Sequence, residues 1–306
     1  MEILGKYMNG NTLVTLYEDG TKTMFTKDDE FDLDFPTNID VKITDNCPIG
    51  CVFCHENSKP GGKHAPLSNF KFINSLVAGT EVALGGGALT THPKLEEILI
   101  KFKKQGVIVN VTVHIQEVLK NADMLADFQN RGLIHGIGVS VTAHEFTEFE
   151  KEQLSKLKNV VFHIINGIFD IGFLGELSKS IVHPKLLILG FKDFGRGNQL
   201  YDKTKNLIEI KQNAMKKNLN EIIKMFDVVS FDNLAIEQLD IKNQVSEKEW
   251  EHCYQGQEGS VTMFVDTVKG EYAINSIAIK RYKMTSNIRS MFRTIKKEAK
   301  NNGKMY

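Results

Sequence analysis

The sequence predicts an α/β protein built around a mostly parallel β-sheet. Three observations support this prediction. Strand-like and helix-like segments alternate between residues 37 and 200, several of these strands have one apolar and one polar face, and the composition is that of a folded domain. Strands that alternate with helices form βαβ units, in which the helices cover a parallel sheet. The pattern by itself leaves open whether the sheet closes into a barrel.

The composition excludes several classes of protein. Of the 306 residues, 42% are hydrophobic and 25% are charged, values that exclude a disordered or collagen-like chain. Basic and acidic residues number 38 each, so no overall charge draws the protein to nucleic acid or to a membrane. The N-terminus lacks the apolar core of a signal peptide, and no run approaches the roughly 20 apolar residues of a membrane span. We therefore expect a cytoplasmic protein.

Residues 1–36 predict a small N-terminal β-hairpin unit. Two runs rich in β-forming residues, 12–17 and 22–26, flank the dipeptide Asp19-Gly20. An Asp-Gly pair between two such runs is a strong hairpin signal.

Residues 37–230 predict the core of the protein. Its helical segments have recognisable ends, such as the run 93–106, which begins with proline and ends with glycine. The six predicted strands are residues 38–44, 81–85, 107–114, 135–142, 159–165 and 185–191. The predicted helices are residues 68–77, 93–106, 116–131, 148–158 and 203–226.

Residues 231–306 predict a C-terminal α+β extension. The runs 260–265 and 271–276 form a second hairpin candidate, and residues 286–300 read as a terminal helix. The chain from Lys280 onward is basic. Such a segment is either a solvated face or a surface that attracts an acidic peptide, a nucleotide or nucleic acid.

Three of the core strands carry a polar face that predicts a ligand cavity. Helices outside a parallel sheet cover its apolar face, so the polar face would line the interior. The alternative is a half-exposed sheet with its polar face in water. The polar sets are Asp40, Lys42 and Thr44 in the first strand, Asn110, Thr112 and His114 in the third, and Gly138, Ser140 and Thr142 in the fourth.

Three of the four cysteines lie within eight positions, directly after the first core strand. Cys47, Cys51 and Cys54 have the spacing C-x3-C-x2-C. Thiolates suit zinc or iron–sulfur sites, and three of them can hold three irons of a [4Fe–4S] cube, which leaves the fourth iron for an external ligand. A closed zinc site needs a fourth ligand, but His55 is adjacent to Cys54 and Cys253 is far along the chain. The clustering also favours a reducing compartment.

With Phe53 just before the last cysteine, this loop resembles the signature of the radical S-adenosylmethionine (SAM) superfamily. The resemblance covers roughly residues 37–200. It implies a partial (β/α)6 TIM-like barrel, a [4Fe–4S] cluster on the three cysteines and SAM bound to that cluster. In the family, reduction cleaves SAM to methionine and a 5′-deoxyadenosyl radical, which abstracts a hydrogen atom from a substrate. It also implies an electron donor such as flavodoxin or ferredoxin.

The resemblance further implies a SAM site at the carboxyl ends of the strands. The turn Gly85-Gly86-Gly87 ends the second strand, where glycine lets backbone carbonyls approach the SAM amino group. Ala88 stands where members of the family often have glutamate. Each implied contact has an ordinary alternative, such as a strand-end hydrogen bond or a solvated charge. The other implied SAM contacts are Phe53, Ser140, Thr142, Asn166, Leu189, Gly190, Lys192 and Arg196.

Cys253 and His114 are candidates for the substrate step. A thiol can donate a hydrogen atom to a carbon radical, and His114 can transfer a proton; an inert cysteine and a structural histidine are the alternatives. Our first prediction for the substrate is a ribosomally made peptide that is epimerised or cross-linked. The alternatives are a nucleotide or nucleoside substrate and, in a different class, a non-catalytic iron–sulfur or zinc regulator.

Overall fold

Two β-sheets organise the chain in the computed structural model, which describes residues 2–142, 146–254, 256 and 258–301. The N-terminal sheet has three antiparallel strands in the order β1-β2-β3. These strands are β1 (Ile3–Asn9), β2 (Thr12–Tyr17) and β3 (Lys22–Phe25). The predicted hairpin is therefore confirmed. The preceding strand β1 was not predicted, although Asn9-Gly10 is itself a hairpin signal.

The central sheet has ten strands, of which eight adjacent ones are parallel. Its order is β10-β9-β8-β7-β6-β5-β4-β11-β12-β13, and β12 and β13 are antiparallel. The strands are β4 (Asn38–Thr44), β5 (Glu81–Gly86), β6 (Ile108–His114), β7 (Ile137–Ser140), β8 (Val160–Ile165), β9 (Lys185–Leu189), β10 (Val228–Phe231), β11 (Thr262–Asp266), β12 (Glu271–Ala273) and β13 (Tyr282–Lys283).

The six predicted core strands are confirmed as β4 to β9, but two further parallel strands flank them. The short strand β10 extends the sheet beside β9. On the other side, β11 pairs with β4, so that Val265 lies opposite Val41. The hairpin of β11 and β12 was predicted. Its pairing with the first core strand was not, because that pairing joins positions more than 200 residues apart.

Helices connect most of the parallel strands. The predicted run 203–226 is divided into two helices, and the predicted helix 68–77 is a 3-10 helix without a side-chain cap. The α-helices are α1 (Leu95–Lys104), α2 (Ile115–Asn130), α3 (Glu148–Ser155), α4 (Ile171–Leu177), α5 (Arg196–Lys217), α6 (Leu219–Met225), α7 (Asn233–Leu239), α8 (Glu247–Cys253) and α9 (Ile288–Asn301). The 3-10 helices are Leu67–Ser75, Leu89–Thr91 and Ile241–Asn243. Within the described ranges, no helix combines the length and the apolar character that crossing a bilayer requires.

The two faces of the central sheet have different surroundings, as the alternation predicted. In β4 the apolar side chains Ile39, Val41 and Ile43 are buried in the hydrophobic core. The opposite face contributes residues from β4 to β11 to one cavity of about 1100 Å³. Because eight neighbouring strands line a single cavity, the sheet curls around it. Seven of the nine residues in the predicted polar sets are in the cavity wall as the described residues define it, and Thr44 and Thr142 are not.

The N-terminal sheet closes one end of this cavity. Its turn residues Glu18 and Gly20, and Lys22 in β3, line the cavity at the amino ends of the parallel strands. Lys22 forms a buried ion pair with Glu81 at the start of β5, with 2.5 Å between Nζ and Oε2. The accessible end of the cavity is therefore the one at the carboxyl ends of the strands.

The pairing of β11 with β4 makes a specific prediction about stability. Met263 in β11 is 1% exposed, so truncation to alanine leaves a cavity in the core. We expect Met263→Ala to lower the free energy of unfolding by about 2–5 kcal/mol, measured by urea denaturation. Ile210→Ala, at a residue that is 64% exposed on α5, is the control and should change it little. Equal stability of both variants would contradict the integration of β11 into the core.

Candidate cofactor and substrate site

The three clustered cysteines lie on the loop that follows β4, at the carboxyl ends of the parallel strands. Cys47, Cys51 and Cys54 are unbridged, and all three line the central cavity. Cys47 is buried, while the other two are half-buried. Active sites in folds with parallel strands are built from loops at this edge, so the cysteines occupy the position where chemistry is expected.

The backbone of the cysteine loop is held by pairing with its own returning segment. The Asp45 amide donates to the Lys63 carbonyl at 2.8 Å, and the Cys47 amide donates to the Lys59 carbonyl at 3.0 Å. Thr44 forms a further isolated bridge with His64. These contacts fix the entry and the exit of the loop while the cysteine side chains face the cavity.

The glycine turn after β5 supports the same loop. The Gly87 amide donates to the Thr44 carbonyl at 2.7 Å, and the Ala88 amide donates to the Asn46 carbonyl at 2.8 Å. A Cβ atom on Gly87 would lie 2.4 Å from the Asn46 oxygen, so only glycine permits this packing. Gly85, Gly86 and Gly87 also line the cavity. The turn thus has a structural role besides the SAM contact that the resemblance implies.

Arg196, at the start of α5, lies against the cysteine loop. Its Nε donates to the Cys51 carbonyl at 2.8 Å, and its Nη1 donates to the Ser58 carbonyl at 2.9 Å. The Arg196 amide donates to the Cys54 carbonyl at 3.0 Å. Among the residues that the structure describes, Arg196 is not in the cavity wall. In this structure the side chain braces the loop, whereas we predicted a contact with the SAM carboxylate or an acidic substrate group.

A buried ion cluster lies beside the cysteines. The Lys42 ammonium is 2.5 Å from Glu56, 2.6 Å from Asp45 and 3.7 Å from Asp266. Burial alone would raise the pKa of Glu56, but the hydrogen bond with His55 and the charge of Lys42 outweigh it and lower that pKa to about 2. Glu56 is therefore ionised. Lys42 links Asp45 and Glu56, which flank the clustered cysteines, to Asp266 at the end of β11.

The remaining predicted residues divide into two groups. Some of them lie in the cavity wall with the cysteines, and others lie behind it. Phe53, His114, Ser140, Leu189, Lys192 and Cys253 line the cavity. Thr142, Asn166 and Gly190 are outside the wall as the described residues define it. Asn166 is fully buried and donates to the Gln238 side chain at 3.2 Å, and Gly190 packs closely against Leu234.

His163 in β8 is a cavity residue that the sequence reasoning missed. His114, Ser140 and His163 are register neighbours on three adjacent strands, and all three line the cavity. A Cβ atom on Gly138 would lie 2.2 Å from the His163 ring, so Gly138 makes room for the imidazole. Burial lowers the pKa of His163 to about 4, which keeps the ring neutral. His163 is two residues from both Val161 and Ile165, so all three side chains lie on the cavity face of β8. This position in the predicted strand is the signal that could have identified it.

Asp40 was recognised only as part of the polar face. It projects from β4 into the cavity. Its surroundings raise its pKa to about 6: burial contributes most, the charge of Glu258 adds to the rise, and the charge of Lys192 opposes it. The cavity thus contains a carboxylate and an imidazole with shifted pKa values, which is typical of functional sites.

Cys253 lies at the end of α8 and is exposed. It lines the same cavity as the clustered cysteines. Its neighbours Trp250 and Tyr254 also line the cavity and stack on each other, with 4.4 Å between ring centroids. This end of the cavity therefore combines a free thiol with an aromatic surface.

The donor set of the cysteine loop fits a cluster. Burial and the neighbouring thiols of Cys47 and Cys54 raise the pKa of Cys51 to about 11, so three thiolates here require compensating positive charge. Within the described part of the chain, no three His, Cys, Asp or Glu side chains converge on a single metal ion. Three thiolates on one loop are the soft donors that an iron–sulfur cluster takes.

The fold is similar to that of SuiB from Streptococcus suis. SuiB bound to its precursor peptide SuiA aligns with a TM-score of 0.56 and 12% identity, covering 85% of this chain and 65% of the SuiB chain. Another SuiB structure gives a TM-score of 0.50 and 12% identity, covering 85% and 66%. The chain thus spans slightly less than two thirds of SuiB. At this identity the likeness shows a shared fold, the mixed α/β fold that the sequence predicts.

A third SuiB structure, bound to S-adenosylmethionine, aligns with a TM-score of 0.47 and 14% identity, covering 82% of this chain and 62% of the SuiB chain. No protein-family profile matches the sequence, and no curated protein matches it.

The bracing role of Arg196 predicts a loss of metal loading. Arg196→Ala removes two hydrogen bonds from a charged donor, each worth about 1.5–3 kcal/mol, and frees the Cys51 and Ser58 carbonyls. We expect less iron and sulfide per chain after anaerobic reconstitution. Arg131→Ala, which removes a surface arginine paired with Asp127 and Glu96, should load normally. Full loading of the Arg196 variant would contradict the role assigned to this side chain.

His163 predicts a pH dependence of stability. Its pKa is about 4 in the folded protein, against an ordinary value of 6.5. Above pH 6.5 both states are neutral; as the pH falls, the unfolded chain binds a proton first, so stability is lost down to about pH 4.

Between pH 7 and pH 4.5 the wild type should therefore lose about 2 kcal/mol more unfolding free energy than His163→Gln. Urea denaturation at the two pH values measures this difference. His183→Gln, which changes an exposed histidine, should behave as the wild type does. Equal losses in the wild type and His163→Gln would refute the depressed pKa.

Proposed function

We propose that this protein is a radical SAM enzyme that modifies a peptide. The observation that carries the proposal is the placement of Cys47, Cys51 and Cys54. With C-x3-C-x2-C spacing, they follow the first core strand and line one cavity with the polar faces of the parallel strands. The shared fold with SuiB supports this assignment. In the same proposal, the curled parallel sheet is the partial TIM-like barrel of the family.

The chain's own residues would divide the work of the site. The three cysteines would hold three irons of a [4Fe–4S] cluster, which when bound would supply the electron for the reductive cleavage of SAM. Backbone carbonyls of the turn Gly85-Gly86-Gly87, which lines the cavity, would accept hydrogen bonds from the SAM amino group. Ser140 and Lys192 lie in the wall, where a hydroxyl and an ammonium can bind the ribose and the carboxylate.

The size of the cavity supports a cofactor together with a substrate. Pockets for drug-sized molecules have volumes of about 300–1,000 Å³. The cavity of about 1100 Å³ is at or above the upper end of that range. It has room for SAM and for one part of a larger substrate, such as a side chain of a peptide.

A peptide substrate is favoured by one comparison. The SuiB structure with the higher TM-score contains its precursor peptide. The aromatic surface of Trp250 and Tyr254 beside Cys253 offers apolar contact for a peptide side chain. Within this proposal the Cys253 thiol donates a hydrogen atom to the substrate radical, which yields an epimerised residue and leaves a thiyl radical. One electron from the external one-electron donor and one proton then restore the thiol.

Two alternatives are separated by simple measurements. A nucleotide or nucleoside substrate is favoured by the basic segment that begins at Lys280, and adding nucleotides to the SAM cleavage assay tests it. A non-catalytic zinc regulator would contain about one zinc and no iron per chain. Metal analysis of the protein purified without oxygen distinguishes it from an iron–sulfur enzyme.

The cysteine loop predicts SAM cleavage that depends on the cluster. Reconstituted wild-type protein with SAM and dithionite should form 5′-deoxyadenosine, measured by mass spectrometry. The triple variant of Cys47, Cys51 and Cys54 to alanine should form none. A fully loaded cluster that neither binds SAM nor cleaves it, with or without candidate peptides, would refute the proposed chemistry.

Cys253 predicts a separate effect. Cys253→Ala should keep its iron content and its 5′-deoxyadenosine formation, because the residue is outside the cluster loop. With a peptide substrate it should lose the product that requires hydrogen-atom return, which chiral amino-acid analysis detects. Cys253→Ser tests whether the thiol itself is needed. If both variants still form the same epimerised product as the wild type, Cys253 is not the donor.

A further inference from the structure

The outer edge of β10 has no neighbouring strand. Within the described ranges, β10 pairs with β9 alone and ends the central sheet. The Asp227 amide donates to the Pro184 carbonyl at 2.9 Å, so alternate residues from Asp227 onward face β9. Backbone groups of successive strand residues point to opposite sides, so Val228 and Ser230 direct their amides and carbonyls away from β9. No described residue forms a backbone hydrogen bond with them on that side.

This free edge borders the central cavity. Val229, Ser230 and Phe231 all line the cavity. Ser230 is exposed and Val228 is 48% exposed, so the described chain leaves the edge open at these two residues. A strand edge with unpaired backbone groups is a template on which another extended chain can pair. The edge is therefore available to a ligand that enters the cavity.

The register of the sheet places this edge level with the polar groups of the cavity. Ser230 lies opposite Leu187 in β9, and Leu187 lies opposite His163 in β8. His163 is in turn in register with Ser140 and, through it, with His114. Side chains at one register level of a sheet share a face. A residue that pairs beside Ser230 would therefore direct its side chain into the cavity, at the level of the two histidines.

The helices around β10 add apolar surface to the same region. Ile223, on α6 just before β10, and Ile236, on α7 just after it, both line the cavity, and Ile223 is 40% exposed. Trp250 and Cys253 on α8 line it as well. A peptide matches this combination, because its backbone can bond to the edge while alternate side chains contact the apolar wall. A nucleotide has no row of amides and carbonyls at the spacing of a strand.

The geometry points to the free edge of β10 as the place where an extended segment of the peptide substrate binds as an additional strand of the sheet. The inference rests on the proposed function and deepens it, because it states how the peptide is held. Since the edge borders a cavity, a flexible peptide can reach it more readily than the sheet of a second folded copy. Recognition through Val228 and Ser230 uses the peptide backbone, and the cavity selects the side chain that enters it.

Peptides selected from a random library are the probe for the test. An mRNA-display library of short random peptides is selected on the immobilised, reconstituted protein without oxygen, and affinities of the enriched peptides are measured by fluorescence anisotropy. Ser230→Pro removes the amide donor on the free side, where an edge strand tolerates proline. We expect this variant to bind the peptides about tenfold more weakly than the wild type, because it loses a hydrogen bond and its ring obstructs pairing.

Ser230→Ala is the matched control, because it removes the same side chain but keeps the amide. It should bind the peptides as the wild type does. Circular dichroism checks the fold of each variant, and Val228→Pro, at the first residue of the strand, replaces Ser230→Pro if that variant does not fold.

A scan of the peptide backbone tests the same hydrogen bonds without changing the protein. Each selected peptide is methylated at one backbone nitrogen at a time. In an additional strand only every second amide faces β10, so methylation should weaken binding at alternate positions. The inference is overturned if no peptide is enriched, if the proline and alanine variants bind equally, or if the methylation effect does not alternate. Self-association of the wild type that Ser230→Pro abolishes would assign the edge to a second copy instead.

The SAM cleavage assay separates this inference from the proposed function, because peptide binding requires neither reduction nor SAM. If the wild type holds no cluster or cleaves no SAM with dithionite, the proposed function fails, whatever the peptides do. If the wild type cleaves SAM while the selected peptides bind it and Ser230→Pro equally, only the binding edge fails.

Discussion

The cation of Lys42 is the interaction on which the architecture of the site depends. It is 3% exposed and lies between carboxylates from three segments. Asp45 precedes the clustered cysteines, Glu56 follows them, and Asp266 ends β11. A buried charge is costly unless it is paired, and removing one partner of a buried pair typically costs about 3–5 kcal/mol. The ends of the cysteine loop and the added strand β11 are therefore coupled through a single side chain.

Backbone hydrogen bonds also hold the cysteine loop in one shape. Amides of Gly87 and Ala88 hold it from β5, and Arg196 holds it from the segment after β9. Strand ends on both sides of the loop thus fix its backbone, while its three thiols remain directed into the cavity. The proposed cluster, held by three protein ligands, would leave one iron open, so the loop would have to keep its shape without a fourth ligand. The dense backbone hydrogen bonding provides that rigidity.

Much of the fold and part of the site were predictable because local patterns encode them. The alternation of polar and apolar residues predicted the cavity face of β4, β6 and β7, and the cysteine spacing predicted the loop. The pairing of β11 with β4 and the addition of β10 were not predictable, since they are long-range contacts with no local signal. Arg196 was expected in the cavity because the sequence places it in the loop after the last predicted core strand. The sequence does not show that its guanidinium donates to the Cys51 and Ser58 carbonyls instead. His163 was missed because β8 is otherwise apolar on both faces, so its alternation in burial does not appear in the sequence as an alternation of polar and apolar residues.

The division at residues 36 and 230 into three units stays a prediction, although β11 shows how closely the last unit is tied to the core.

The exclusion of water is the requirement that the chemistry we propose places on the central cavity. A carbon radical must be formed where water and stray reactants are excluded. In this structure the three thiols face a cavity whose far end is lined by the N-terminal sheet. A loop that borders an enclosed space on one side has few contacts there to hold its shape. For that reason its backbone is fixed from the other segments around it, by Lys42, Arg196 and the glycine turn.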